Sequence, residues 1–300
     1  MCSLIFYLVF YLFDPYPSFY IFLLQIVSYV MNLHTQPRSF YLTRHGQSIY
    51  NQSGKIGGDS GLSKSGVEYA RRLAKYAHEV IGMSRAGEED DSEKKVVPAR
   101  LWTSTLRRTI ETAEFIKHPE IRHSLDSGLD IDWVQFRPMA RRNLDEIYAG
   151  VCDGMTYKEI EMTYPEEFER RQKDKLAYRY HRGESYMDVI LRLEPMAHEM
   201  ERTQEPLLII AHQGILRILY AYFMGLSRED APYVNIPLNT LIKLTPHADI
   251  CEEERICLMD KEEMLHDGQD EPITSMPASL GKNCNAMYSI NDPIMNAPSH

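Results

Sequence analysis

The 300-residue sequence predicts an α/β fold, a three-layer sandwich with a mainly parallel central sheet flanked by helices. Two observations carry this expectation. Short apolar runs rich in β-forming residues alternate with amphipathic stretches of helical period. Three of those runs also end alike, with polar residues gathered just past the last apolar position.

In chain order, the first run covers residues 39–43 and leads into Arg44 and His45. The next stretch places Val67, Ala70, Leu73, Ala74, Ala77 and Ile81 on one helical stripe, with Ser63 suited to cap its start. Residues 83–95 carry Glu88, Glu89, Asp90, Asp91 and Glu93 and read as an exposed loop insertion. A second run, 99–103, leads into Ser104 and then Arg107 and Arg108. The third, 207–211, leads into His212 and Gln213. A helix over about 215–223 follows, with Gly225 placed to end it. Ligands bind at the carboxyl ends of strands in open parallel sheets, so three distant segments are expected to deliver His and Arg to one site.

The composition is that of a globular chain, 44% hydrophobic and 25% charged, and no internal repeat is evident. A net charge of -10 argues against general affinity for nucleic acid or anionic membrane, so an anionic substrate must be drawn in by a local basic cluster. Cys2, Cys152, Cys251, Cys257 and Cys284 are scattered without a CxxC pair, which fits a reducing, cytoplasmic setting.

The domain is expected over residues 38–258. Residues 1–37 form an apolar leader and linker remnant, and 259–300 a mobile tail rich in Pro, Asn, Ser and Gly. In the leader, runs 4–13 and 19–30 are divided by Asp14, Pro15, Tyr16 and Pro17. Neither reaches the roughly 20 residues needed to cross a bilayer. No Lys or Arg precedes Arg38, as a secretory signal would want. Membrane contact through the leader is therefore not favoured.

The chemistry centres on Arg44-His45-Gly46, with Ser48 and Asn51 downstream. A neutral imidazole can accept a phosphoryl group directly, and an adjacent arginine can spread its planar fork over the phosphoryl oxygens. Paired histidines can also bind metal, but no third ligand at helical or CxxC spacing accompanies His45 and His212. No metal or other cofactor is expected. A histidine nucleophile needs a proton donor for the departing oxygen, and Asp145 and Glu146 are adjacent candidates that the residues alone do not separate.

Arg44-His45-Gly46 with Ser48 and Asn51 resembles the signature of the histidine phosphatase, or phosphoglycerate mutase-like, superfamily. Segment 101–109 resembles its second arginine segment, which implies that Arg108 is the second phosphate clamp. Segment 207–212 resembles its late histidine strand, which implies that His212 is a further phosphate ligand. Two arginines and two histidines would stabilise the charge of a phosphoryl transition state. By its place in the motif, Glu146 resembles the family's acid.

Further segments, 56–63, 150–157, 165–168 and 178–186, resemble the bisphosphatase half of 6-phosphofructo-2-kinase/fructose-2,6-bisphosphatase. The likeness covers about residues 25–258. It implies hydrolysis of the 2-phosphate of fructose 2,6-bisphosphate through a phosphohistidine on His45. It also implies a substrate-binding set of Asn51, Gly57, Tyr157, Arg171, Lys175, Tyr186, Gln213 and Arg217, in which Arg171, Lys175 and Arg217 hold the distal phosphate. The alternatives are a broader sugar-phosphate phosphatase or mutase-like enzyme, or a non-catalytic sugar-phosphate binder.

Three features depart from the family pattern: Gln47 replaces a frequent Glu, Tyr148 a frequent acidic residue, and segment 130–142 differs from the usual approach to the acid. The last is expected to bear on where Glu146 sits. Members of that family join a kinase domain to the phosphatase, yet no GxxxxGK[ST] phosphate loop occurs in the 300 residues. Kinase activity, and dimerisation through a kinase half, are not expected of this chain.

Overall fold

The structure, a computed structural model, describes residues 38–83, 95–124, 128–247 and 250–260, together with the backbone of Lys282–Asn283. All of these lie in the unit Arg38–His300. The leader, the centre of the acidic insertion and nearly all of the tail lie outside the described residues.

A seven-stranded sheet forms the middle layer. Its strands are β1 (Phe40–Arg44), β2 (Arg100–Thr103), β5 (Pro138–Ala140), β6 (Leu207–Ala211), β7 (Thr240–Pro246), β8 (Cys251–Cys257) and β9 (Lys282–Asn283). The order is β5-β2-β6-β1-β7-β8-β9. The pairings β5–β2, β2–β6 and β6–β1 are parallel, whereas β1–β7, β7–β8 and β8–β9 are antiparallel. Only β7 and β9 therefore run against the others, and the sheet is mixed but mostly parallel, as expected. A separate hairpin pairs β3 (Glu120–Ser124) with β4 (Asp130–Val134).

Both faces of the sheet are buried, because successive side chains on a strand point to opposite sides. Phe40, Leu42, Trp102, Leu207 and Ile209 face one cluster; Tyr41, Leu101, Leu208 and Ile210 face the other. The short runs accordingly read as continuous apolar sequence rather than as alternation. Each such buried side chain contributes about 1.5–3 kcal/mol of transfer free energy.

The second face is covered by α2 (Lys64–Tyr76) and α3 (Arg107–Ala113), with Tyr69, Leu73 and Ala113 in its cluster. A short α1 (Ile49–Gln52) precedes them. Ser63 caps α2 as anticipated, accepting from the Gly66 amide at 3.1 Å. The apolar stripe runs on to Ile81 through a turn of wider π geometry at Ala77–Ile81. The first face is covered by α6 (Tyr186–Arg202) and α7 (Gln213–Phe223), which bury Val189, Leu193, Ile215 and Leu219. Past α7, Gly225 adopts φ +65° and Leu226 donates back to the Ala221 carbonyl at 2.9 Å, the expected helix stop.

The ends of the acidic insertion meet in a bridge between Met83 and Val96. A small third cluster comes from residues 149–180, with Cys152, Ile160, Tyr178 and Tyr180 among its buried members. It contains α4 (Tyr157–Thr163) and α5 (Pro165–Lys173). Among the described residues, no helix is long and apolar enough to cross a membrane.

Candidate active site

The central parallel strands place the first site residues. The ladder continues past β1, with the His45 amide donating to the Ala211 carbonyl at 3.0 Å. His45 and His212 therefore sit side by side, with ring centroids 5.2 Å apart. Arg108 follows from β2 on the first turn of α3.

The glycine after His45 is needed for packing. A side chain on Gly46 would approach the Gly66 carbonyl oxygen to 2.4 Å, so the loop after β1 lies directly on the first turn of α2.

The imidazole of His45 is buried and its Nδ1 lies 2.7 Å from the Gly46 carbonyl, which can only accept. Nδ1 thus carries the proton and Nε2 keeps its lone pair. Burial holds this imidazole well below the usual histidine range, and the charges of Arg108 and Arg44 add to the effect.

His212 is fully buried. Its Nδ1 accepts from Arg108 Nε at 3.2 Å and its Nε2 lies 2.7 Å from Ser104 Oγ, which fixes the opposite tautomer. Its imidazole is also kept neutral, first by burial and then by Arg108.

Two guanidinium groups flank the histidines. Arg44 donates from Nη1 to the Ile236 carbonyl at 3.2 Å, while its buried Nε has no partner among the described residues. Burial presses its pKa down to about 10, against the favourable charge of Glu146. An orphaned buried donor of this kind is a free position for an anionic oxygen.

Arg108 donates from Nη1 to the Gly58 carbonyl at 2.6 Å. Gly57 and Gly58 both take left-handed conformations there, and Asp153 accepts the Gly58 amide at 3.0 Å. A side chain on Gly57 would fall 1.8 Å from Asp153 Oδ1. The turn at Gly57 therefore sets the height of Arg108.

These residues border a cavity of about 140 Å³. Every sequence-predicted site residue lines it except His212, which touches two residues that do, His45 by ring contact and Arg108 by hydrogen bond. Glu146 lines it and accepts from the Ile147 amide at 2.9 Å and the Gly214 amide at 3.4 Å. Asp145 points away, accepting from the Thr105 amide and hydroxyl at 2.7 and 2.8 Å. That geometry separates two carboxylates that the residues alone do not. Asn51 accepts from Ser48 through Oδ1, which leaves its NH2 group for the cavity.

A second basic group also lines the cavity. Arg171 donates to Tyr157 Oη at 3.2 Å and stacks 5.1 Å from that ring's centroid. Arg217 donates to Tyr186 Oη at 3.2 Å and to the Val234 carbonyl at 2.7 Å. Lys175 lies past the end of α5, not within a helix, and its Nζ sits 4.9 Å from the Tyr233 ring. Burial, with Arg217 and Arg171 nearby, pushes its pKa down to about 7.

Lys55, Tyr178 and Tyr180 also line the cavity; the two tyrosines lie in the segment 178–186 that carries the family resemblance, whereas Lys55 has no signal in the sequence. Gln47 accepts from Ser63 Oγ at 2.9 Å, and Tyr148 is exposed. The divergent segment 130–142 is ordered as β4 and the edge strand β5.

A neutral, buried histidine with a free Nε2 between two guanidinium groups, at the carboxyl ends of parallel strands, defines a histidine phosphatase. The family model for the histidine phosphatase superfamily (branch 1) matches residues 40–257, and the chain belongs to that family. Its relatives narrow the kinship. Over 224 residues it is 47% identical to fructose-2,6-bisphosphatase of Saccharomyces cerevisiae, covering 75% of this chain and 42% of that protein. Over 256 residues it is 42% identical to human 6-phosphofructo-2-kinase/fructose-2,6-bisphosphatase 3, covering 85% of this chain and 43% of that one. The chain thus spans about two fifths of the length of these relatives.

Among solved structures, the α-ribazole phosphatase of Shigella flexneri superposes with a TM-score of 0.55 at 18% identity, covering 71% of this chain and 93% of that one. A mycobacterial glucosyl-3-phosphoglycerate phosphatase gives 0.53 at 23%, covering 72% and 96%. These two likenesses concern the fold.

Proposed function

We propose that this chain hydrolyses the 2-phosphate of fructose 2,6-bisphosphate, yielding fructose 6-phosphate and inorganic phosphate. The observation that carries this reading is one cavity lined by two sets of cationic side chains. The set of Arg44 and Arg108 beside His45 suits the reacting phosphate, and the set of Arg171, Lys175 and Arg217 suits a distal one. The names of the relatives that share 42–47% identity point to the same substrate.

In the proposed reaction His45 Nε2 attacks phosphorus, the bond to the sugar oxygen breaks, and Glu146 supplies the proton that oxygen takes up. Water then attacks the phosphohistidine and passes a proton to Glu146, which restores both groups. Arg44 and Arg108 offset the charge on the equatorial oxygens. His212 acts through its hydrogen bond to Arg108. The unpaired thiols of Cys152, Cys251 and Cys257 fit the cytoplasm as the setting.

The test is phosphate release from fructose 2,6-bisphosphate, fructose 1,6-bisphosphate and 2,3-bisphosphoglycerate side by side. A kcat/KM at least about tenfold higher for the first is expected, since a distal phosphate held at the wrong spacing from the reacting one loses contacts worth at least about 1.4 kcal/mol. Equal rates on all three would replace this reading with a broader phosphatase.

A further inference from the structure

Residues 145–149, which carry Glu146, belong to no helix or strand. Their backbone groups must therefore find partners elsewhere. Some are local, such as the Arg142 carbonyl that accepts the Asp145 amide, and the others come from α6 and the turn before it. Arg192 Nη2 donates to the Asp145 carbonyl at 2.7 Å and the Glu146 carbonyl at 3.4 Å, and Nη1 donates to the Asn143 carbonyl. Asn143 Nδ2 donates in return to the Arg192 carbonyl at 2.6 Å.

Glu184 completes the arrangement. Its carboxylate accepts from Arg192 Nε at 2.9 Å and Nη2 at 3.1 Å, and from the Tyr148 amide at 3.0 Å. The Glu184 amide donates to the Tyr148 carbonyl at 2.9 Å. Among the described residues, the Glu146 carboxylate accepts hydrogen bonds from two backbone amides, those of Ile147 and Gly214. Its place in the cavity is thus set by the backbone beneath it, which Arg192 and Glu184 hold on one side while the Asp145 side chain is anchored to Thr105.

We propose that Arg192, oriented by Glu184, is a positioning residue for the proton donor Glu146: it clamps the backbone of residues 143–148 so that the carboxylate faces His45. The inference rests on reading Glu146 as the donor. The planar fork of arginine reaches three carbonyls while also pairing with Glu184, a geometry closed to lysine. Displacing a catalytic group by about 1 Å costs on the order of 10²-fold in rate.

The experiment compares two substrates across variants of the whole chain: fructose 2,6-bisphosphate, whose alkoxide must be protonated, and p-nitrophenyl phosphate, whose phenolate departs without a proton. Arg192→Met is expected to lower kcat on the bisphosphate roughly 100-fold with KM within about threefold, while phosphohistidine formation from p-nitrophenyl phosphate falls less than about tenfold. Arg192→Lys should recover part of the loss. In a Glu146→Gln background the Arg192 change should add less than about threefold, because residues acting through one group are not additive.

Should Arg192→Met not fold, the milder Glu184→Gln carries the test, with a loss of roughly tenfold in the same pattern. Equal losses on both substrates, additive losses in the double variant, or an unchanged Glu184→Gln overturn the clamp. If the wild type is inert toward the bisphosphate but hydrolyses another sugar phosphate, the substrate reading alone falls and the clamp is judged on that ester. A Glu146→Gln variant with wild-type kcat overturns the donor role, and the clamp with it.

Discussion

The Nδ1 of His45 lies 2.7 Å from the carbonyl oxygen of its neighbour Gly46, and this one contact decides which ring nitrogen can react. The proton is held on Nδ1, so Nε2 keeps a lone pair without needing a base. His45→Ala is expected to remove all acid-labile radiolabelled phosphate from the protein and to lower turnover by about 10³-fold or more. Retained label would assign the covalent step to another group.

The same histidine sets a pH dependence. Burial and the two arginines hold His45, and burial with Arg108 holds His212, well below the ordinary value of 6.5. A group whose folded pKa is depressed binds more protons in the unfolded chain, so its contribution to stability is full above 6.5 and is lost as pH falls below it. The ligand-free protein should therefore unfold more easily from pH 6.5 downward, and a His212→Asn variant should show a shallower slope in denaturant titrations. A slope unchanged by that substitution would mean that His212 does not contribute. For the same reason the acid limb of kcat/KM should lie below pH 6.5.

Lys175 offers a second titration, this one on binding. With its pKa near 7 in the empty cavity, Lys175 is mostly neutral at pH 8. A phosphate dianion beside it favours the ammonium form and raises that pKa. Binding of fructose 6-phosphate at pH 8 should then take up protons, seen in calorimetry as a heat that varies with the ionisation enthalpy of the buffer. Lys175→Met should weaken binding and abolish most of that uptake. Proton release, or uptake unaffected by the substitution, would contradict the prediction.

Two left-handed glycines give a matched pair of substitutions. Gly54 and Gly57 have φ of +65° and +67°, but a side chain at Gly54 meets nothing within 4 Å whereas one at Gly57 meets Asp153. Gly54→Ala should cost about 1–3 kcal/mol of backbone strain and little activity. Gly57→Ala should cost a similar strain and also lower kcat/KM by roughly tenfold or more, because the Gly58 carbonyl that holds Arg108 moves with it. Thermal unfolding and steady-state kinetics on both variants check this.

The central strands were legible because a buried parallel strand is a short apolar run, and each bounding motif sat where backbone geometry demands it. Residues 207–211 and the Ser63 cap are read directly from side-chain type. The antiparallel β8 was not, since residues 251–257 contain Glu252, Glu253, Glu254 and Arg255, which mask the strand period. Lys55 and Arg192 were equally silent, because a lone basic residue in an amphipathic stretch looks the same whether it faces solvent or a cavity.

What this sequence determines by itself is local: which runs enter the sheet, which residue caps a helix, and which side chains have the chemistry for phosphoryl transfer. Burial and hydrogen-bonding capacity belong to the residue and its neighbours in the chain. Only the tertiary structure decides how those groups are used. It brings Glu146 to the cavity and Asp145 to Thr105, pairs His212 with Arg108, and bonds an arginine of a distant helix to the Glu146 segment. Those outcomes depend on distances of a few ångströms between segments separated by 40 to 104 residues, which no local pattern encodes.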